Sequence, residues 1–429
     1  MTRRGAGIKL ALPGLPQVVR PSRLSGPAAF WSVAVLLVLM LAASGVPSPL
    51  YRVYQQEFGF SSGVLTTIFG IYSFALLASL LVVGALSDHV GRRPVLVAAF
   101  LLEAVAMVLF LVSDGVGWLL AARVVQGLAT GALTSTLGAA LLDLQHRERP
   151  LGAFINSASP GLGLSLGAVG AGLLVQFVPS PTDWVFAVLT VVFVLASAGS
   201  LLLLPETSPR LPGALASLRP QVHVPPAHRR AFVVTIPCLL ATWALGGLYA
   251  SLGPSLLPDV FGIDNHLAGG LLILALNGTG VFGSLAVRGS APERALVAGA
   301  LVFAAGVAGT VAALVTGSVT ALFVAAVVTG LGFGAAFLGA VAIITSGVAP
   351  GHRAGLLASI FVIGYLAFSL PAIAAGIAAG RIGLERTGEI YGVAVIVLAL
   401  AAAAGLLLRR RRGADPVTQA DEDTRALAA

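Results

Sequence analysis

Charge is scarce in this chain. Asp, Glu, Lys and Arg together make up 10% of its 429 residues, against about 25% in ordinary soluble domains. With 57% hydrophobic residues and a mean hydropathy of +0.98, too little polar surface remains for a freely soluble globule. Cysteine is scarcer still. Cys238 is the single one, inside an apolar run where it reads as packing, which excludes an internal disulfide and any multi-cysteine metal site. A glycine-rich G-x-x-x-x-G-K-S/T loop is absent, which argues against direct ATP drive. The six histidines, His89, His146, His223, His228, His266 and His352, all fall in predicted loops. No nucleophile with a base and no metal cluster therefore stands at a common depth, and neither an enzyme nor a bound cofactor is expected.

Long apolar runs are what the chain has instead. Twelve segments suffice to span hydrocarbon, most with 20 residues or more: 29–49, 63–86, 94–113, 118–142, 152–178, 184–204, 231–257, 267–287, 294–316, 319–347, 354–378 and 389–408. At 1.5 Å of rise per residue, about 20 residues cross a bilayer core. The first run is long, follows 28 residues and leads into further spans, so it reads as a retained helix and not a cleaved signal peptide.

The net charge of +8 could suggest nucleic acid, but the 25 Lys and Arg residues alternate by loop. Counted from an inside N-terminus, 21 fall in cytoplasmic segments, Arg52, Arg381 and Arg386 in outer loops, and Arg123 within a helix. This bias predicts both termini in the cytoplasm of a multi-pass plasma-membrane protein. Arg409 to Arg412 then anchor the end of helix 12, and nucleic acid is excluded as a partner.

Residues 205–230 carry six prolines and form the longest connection. They predict a cytoplasmic linker between six-helix domains at 29–204 and 231–408, flanked by cytoplasmic segments at 1–28 and 409–429. An offset of 203 residues pairs Val124, Val125, Gly127, Leu128, Gly131 and Ala132 with identical residues at Val327, Val328, Gly330, Leu331, Gly334 and Ala335. The same offset pairs Phe58 and Gly59 with Phe261 and Gly262, and Gly152 with Gly355, which argues for duplication. Arg123 is opposite Ala326, so the charged machinery is concentrated in the first half.

The most informative stretch is Gly84, Ala85, Leu86, Ser87, Asp88, His89, Val90, Gly91, Arg92, Arg93, Pro94. Asp88 and Arg92 lie four apart where one helix ends and the next begins, and Gly84 and Gly91 permit close packing and a tight turn. Read blandly, this is a turn with a positive-inside arginine pair. As a whole it resembles the helix 2 to helix 3 loop signature of the major facilitator superfamily, G-x-L-x-D-x-x-G-R-R. That resemblance implies an all-α membrane protein of 12 transmembrane helices in two pseudo-symmetric halves, with substrate bound near the midplane between them. Asp143 closes helix 4 on the same side, and Asp88, Arg92, Arg93 and Asp143 resemble the family's conformational latch. The alternative for Asp143 is a solvated loop edge.

Two charges lie deep in predicted helices, where insertion costs about 2.5 to 3.5 kcal/mol each. Glu103 is either a proton-carrying coupling site or a protonated acid bonded to a neighbouring helix. Arg123, with Gln126, Gly127 and Gly131, resembles the family's helix 4 signature R-x-x-Q-G, whose arginine is implicated in proton coupling; the alternative is a structural partner for loop or helix 1 backbone carbonyls. Helix 5 carries Gly163, Gly167, Gly170 and Gly172, a small-residue packing face. It also resembles the antiporter signature G-x-x-x-G-P-x-x-G-G, with Ala168 in place of proline and Ala171 in place of the first paired glycine. Pro47, Ser48 and Pro49 should kink or end helix 1.

Polar or aromatic candidates for a cavity are Gln126, Asn156, Trp243, Tyr249 and Asn277, each of which also reads as packing or anchoring. Trp243 and Tyr249 could stack on an aromatic or cationic ligand. The expected function is proton-coupled efflux of a small amphipathic drug or metabolite by a monomer that meets only substrate, protons and lipid. The rival is a solute or sugar uptake symporter, because Pro205 to Arg210 loosely resembles the sugar porter signature. Helix 7 opposes it, lacking that family's glutamines and asparagine. A non-transporting sensor is the third reading.

Overall fold

The computed structural model describes residues 24–146 and 151–426. The N-terminal segment to residue 23, and Arg147, Glu148 and Arg149 after helix 4, lie outside these residues. Among these residues, twelve helices are long and apolar enough to cross a membrane: α1 Gly26–Phe58, α2 Ser62–Val83, α3 Arg92–Leu111, α4 Val116–Leu144, α5 Gly152–Phe177, α6 Pro181–Leu202, α7 Pro226–Ser251, α8 His266–Ala286, α9 Pro292–Thr316, α10 Val319–Thr345, α11 His352–Ile382 and α12 Leu384–Leu408. Hydrocarbon offers the backbone no hydrogen bonds, so a helix that satisfies every peptide group internally is the form such runs take.

Helix α1 is interrupted at its prolines and does not end there. Gly26–Gly45 gives way to Pro47–Phe58 across Val46, which keeps helical angles of φ −54° and ψ −46°. Proline at the first position of the outer piece forfeits only a donor that is free anyway. The same device follows α7, where Gly253–Phe261 resumes after Leu252 with Pro254 near its start. Both extensions end on a left-handed glycine, Gly59 at φ 68° and Gly262 at φ 67°, as expected of a helix C-cap. These are the residues that the 203-residue offset pairs.

The packing repeats as well. In the first six helices α1 packs on α4 and α5, α2 and α3 on α4, and α3 on α6; in the last six α7 packs on α10 and α11, α8 and α9 on α10, and α9 on α12. The halves meet along α2 with α11 and α5 with α8, two contacts that exchange under the same symmetry. Small residues set these distances, because helix association in lipid depends on close packing and not on hydrophobic drive. A Cβ on Gly167 would overlap the Ala42 carbonyl of α1; Gly163 faces Leu41 of α1, and Gly172 faces His266 at the start of α8. Gly127 and Gly131 meet the α2 backbone at Tyr72 and Leu76. Gly170 departs from its expected packing role, since nothing lies within 4 Å of a Cβ placed there.

Candidate functional site

The first charge cluster lies at the end of the bundle that carries the linker. Gly91, at φ 113° and ψ 147°, adopts a conformation essentially reserved for glycine. It aims the N–H groups of Arg92 and Arg93 at the Glu206 carboxylate, which accepts them at 2.7 and 3.2 Å. A Cβ on Gly91 would stand 2.6 Å from Glu206 Oε2. A carboxylate at a helix N-terminus satisfies orphan donors and complements the helix dipole. The largely buried Arg92 side chain turns back to pair with Asp88, donates from Nη1 to Ser87 Oγ at 2.6 Å, and reaches Asp143 Oδ2 from Nε at 3.2 Å. Asp143 also accepts from Thr207 Oγ1 at 2.8 Å. The Asp88 carbonyl accepts from Ser208 Oγ at 2.9 Å and Leu211 N at 3.0 Å, and Arg93 Nε donates to the Ser200 carbonyl at 3.4 Å. Asp88, Arg92 and Asp143 thus converge, within the first half and its linker, and Gly84 closes α2 with ordinary helical angles. Glu206 was visible only as part of the stretch Pro205 to Arg210; its role as a cap on α3 was not.

The second cluster is in the interior of the first half. Glu103 and Arg123 both have 0% exposure. From α4, Arg123 donates through Nε to the Tyr51 hydroxyl at 2.6 Å and through Nη1 to Gln126 Oε1 at 2.6 Å and the Ser44 carbonyl at 3.5 Å. Gln126 Nε2 donates to the Ala43 carbonyl at 3.2 Å. The guanidinium lies 5.3, 4.9 and 5.9 Å from the ring centroids of Tyr51, Tyr72 and Phe110, contacts that partly replace lost hydration. Arg123 Nη2 and both Glu103 carboxyl oxygens are buried without a hydrogen-bond partner. Gln126, Arg123 and Tyr72 are polar groups near enough to act on Glu103. Tyr51 and Ser44 lie on either side of Val46, so Arg123 bridges the two pieces of α1.

Between the halves, a cavity is lined by Gly45, Ser48, Leu164, Ala168, Gly246, Ala250, Ile273, Asn277 and Phe368. Of the expected cavity residues, Asn277 lines it, its Nδ2 donating to its own helix at Ile273 O, 3.1 Å. Trp243 stands one turn from Gly246 and edge-on to Phe368. Three depart from expectation. Gln126 is fully buried and engaged with Arg123 and α1. Tyr249 points into the core of the second half, its hydroxyl 3.0 Å from Thr310 Oγ1 on α9. Asn156, an exposed side chain, lies against Gly138 of α4. At the end opposite the linker the halves are tied by Arg52 Nη1 to Asp259 Oδ1 at 2.8 Å and by His266 N to Gln176 Oε1 at 3.2 Å. No group of three or more metal-ligating side chains occurs among the described residues. His266 and His352 open helices α8 and α11, His228 lies in the first turn of α7, and His89 lies in the short helix Ser87–Val90, not in open loops.

The sequence pattern defining the Major Facilitator Superfamily matches residues 33–365. The chain belongs to this superfamily. As a member, it has the all-α, twelve-helix membrane fold of that family. A tetracycline resistance protein of class C from Escherichia coli is 37% identical over 125 residues, 28% of this chain and 30% of that protein. The inner membrane transport protein YajR of Escherichia coli K12 is 26% identical over 121 residues, 28% of this chain and 26% of its own length. The chain thus spans under a third of either relative. Among solved structures, a bacterial homolog of the human lysosomal transporter Spinster, inward-facing and unoccupied, aligns with TM-score 0.70 and 15% identity over 90% of this chain and 98% of that one. The nucleoside transporter NupG aligns with TM-score 0.70 and 12% identity over 88% and 99%. At such identities these two establish the fold alone.

Proposed function

We propose that this superfamily member exports a small amphipathic drug or metabolite in exchange for protons, by alternating access, from a plasma membrane in which both termini and the linker face the cytoplasm. The observation that carries the reading is Glu103, a carboxyl group buried in the interior of the first half with neither oxygen hydrogen-bonded and Arg123 nearby. A permanently charged or permanently neutral group needs no such arrangement. One that gains and loses a proton alters the field at Arg123 each time, and Arg123 bridges the two pieces of α1. The likeness to a tetracycline resistance protein favours export over uptake.

The loop cluster of Asp88, Arg92 and Asp143 acts as the conformational latch. Here its named partners lie in the first half and the linker, while the opposite end is tied between halves by Arg52 and Asp259. This fits a state closed to the outside with the latch disengaged from the second half, and rocking would exchange the two closures.

The test is efflux of a panel of antibiotics and lipophilic dyes from a pump-deficient host, with and without a protonophore. Wild type, Asp88→Asn and Glu103→Gln are compared at matched expression. Protonophore-sensitive extrusion by wild type is expected. Substrate accumulation inside cells in place of extrusion would overturn export and favour the uptake symporter.

A further inference from the structure

The inter-half cavity has one aromatic lining side chain, Phe368, and the wall of rings that continues from it belongs to the second half. Trp243 of α7 lies 4.9 Å from Tyr365, 6.1 Å from Phe368 and 6.2 Å from Phe337 between ring centroids, each pair at a steep angle. Phe368 lines the cavity and meets Phe69 of α2 at 5.2 Å. The indole lies flat on α11 because position 364 is glycine: a Cβ there would stand 2.6 Å from Trp243 Cε2.

The repeat supplies an internal control for whether the fold needs these rings. Phe337, Tyr365 and Phe368 stand 203 residues after Thr134, Leu162 and Ser165, and Trp243 stands 203 after Met40. The first half forms the equivalent helix pairs with no aromatic side chain at any of the four positions. Packing alone therefore does not account for the cluster.

Its polar chemistry is equally specific. Trp243 Nε1 is buried with no acceptor. An indole N–H can only donate, and left unpaired it costs free energy that an arriving acceptor recovers. None of the side chains lining the cavity is charged, and the nearest buried cation, Arg123, is covered by Tyr51, Tyr72 and Phe110. An ionic cargo would lose its hydration there without a countercharge, whereas a flat ring gains offset or edge-on contacts with the wall.

We propose that this wall selects the cargo: a planar, uncharged ring system that packs against Phe368 and Tyr365 and accepts a hydrogen bond from Trp243 Nε1 through a carbonyl-type oxygen. Phe368, at the border of the cavity, is the ring such a cargo meets first on its way to the indole edge. This rests on the transport reading above and narrows its amphipathic class.

The experiment is equilibrium dialysis of the full chain in lipid nanodiscs against two uncharged probes of one ring shape, an anthraquinone and its carbonyl-free anthracene counterpart. The anthraquinone should bind about tenfold tighter, the worth of one well-placed hydrogen bond. Trp243→Phe, which keeps a ring and removes the donor, should lower anthraquinone binding about tenfold, to the anthracene level. Phe368→Leu should weaken both probes alike. Equal binding of the two probes, no binding of either, or undiminished anthraquinone binding by a folded Trp243→Phe protein would each overturn the proposal. If Trp243→Phe proves unstable by thermal melting, the ratio of the two probes on wild type decides. No gradient is present, so a failure of proton-driven export leaves this measurement intact, and loss of probe binding leaves export of other compounds to be judged separately.

Discussion

Where α3 meets α4 in the first half, Glu103 and Arg123 are buried; at the matching positions of α9 and α10 in the second half stand Gly306 and Ala326. Gly306 packs directly on Thr329 of α10, and Ala326 is fully buried. The second half therefore builds the same helix crossing with small residues at these two positions, which separates what the scaffold requires there from what has been added to it. Buried charge is the addition in one half, and the ring cluster around Trp243 is an addition in the other.

The comparison can be broken most severely by moving charge across it. Ala326→Arg would set an unpaired cation in a dry helix contact at a cost of about 2.5 to 3.5 kcal/mol, and the yield of folded protein on size-exclusion chromatography should collapse. Glu103→Gln attacks the addition without the scaffold. It should preserve expression and folding while uphill export falls at least about tenfold, read as protonophore-sensitive efflux; unimpaired export would transfer the coupling role to Asp88 or Asp143. Gly91→Ala forces a side chain into a glycine-only conformation and into Glu206, a cost of about 1 to 3 kcal/mol, measurable as a lowered thermal midpoint.

The smallest effect is expected at Arg52 and Asp259, whose side chains are 21% and 49% exposed. An ion pair in such a setting is worth about 0.2 to 1 kcal/mol, so Arg52→Ala should raise labelling of Ser48→Cys by an impermeant maleimide up to about fivefold. Arg52→Asp combined with Asp259→Arg should restore the slow rate. The native Cys238 is 1% exposed and should contribute little background.

The twelve spans were legible because apolar length is a local property, readable wherever some 20 residues exclude charge. So was the convergence of Asp88, Arg92 and Asp143, because two adjoining helix ends and a third on the same side leave few places for them to go. Glu206 was not, since its bond to the α3 backbone joins residues 114 apart in sequence and a cap has no motif of its own at that distance. Tyr249 was misplaced for a different reason: the face of a helix that a side chain occupies is set by neighbours, and Thr310 on α9 claims its hydroxyl. Gln126 was assigned to the cavity by polarity, yet a buried arginine three residues away takes its oxygen first.

The way the linker is held has a bearing on how such a transporter could be divided. Its first stretch, through Glu206, Thr207, Ser208, Leu211 and Pro212, is bonded to the first half, and at its far end His223 N donates to the Gly355 carbonyl of α11 at 3.2 Å. Residues 213–222 alone join these attachments, a leash of about 35 Å when fully extended. A gene cut after Leu204 would strip α3 of its cap and hand that cap to the wrong fragment. A cut within 213–222 would leave each fragment with the pieces it uses, and there the two halves could be made apart, or exchanged between relatives, as separate modules.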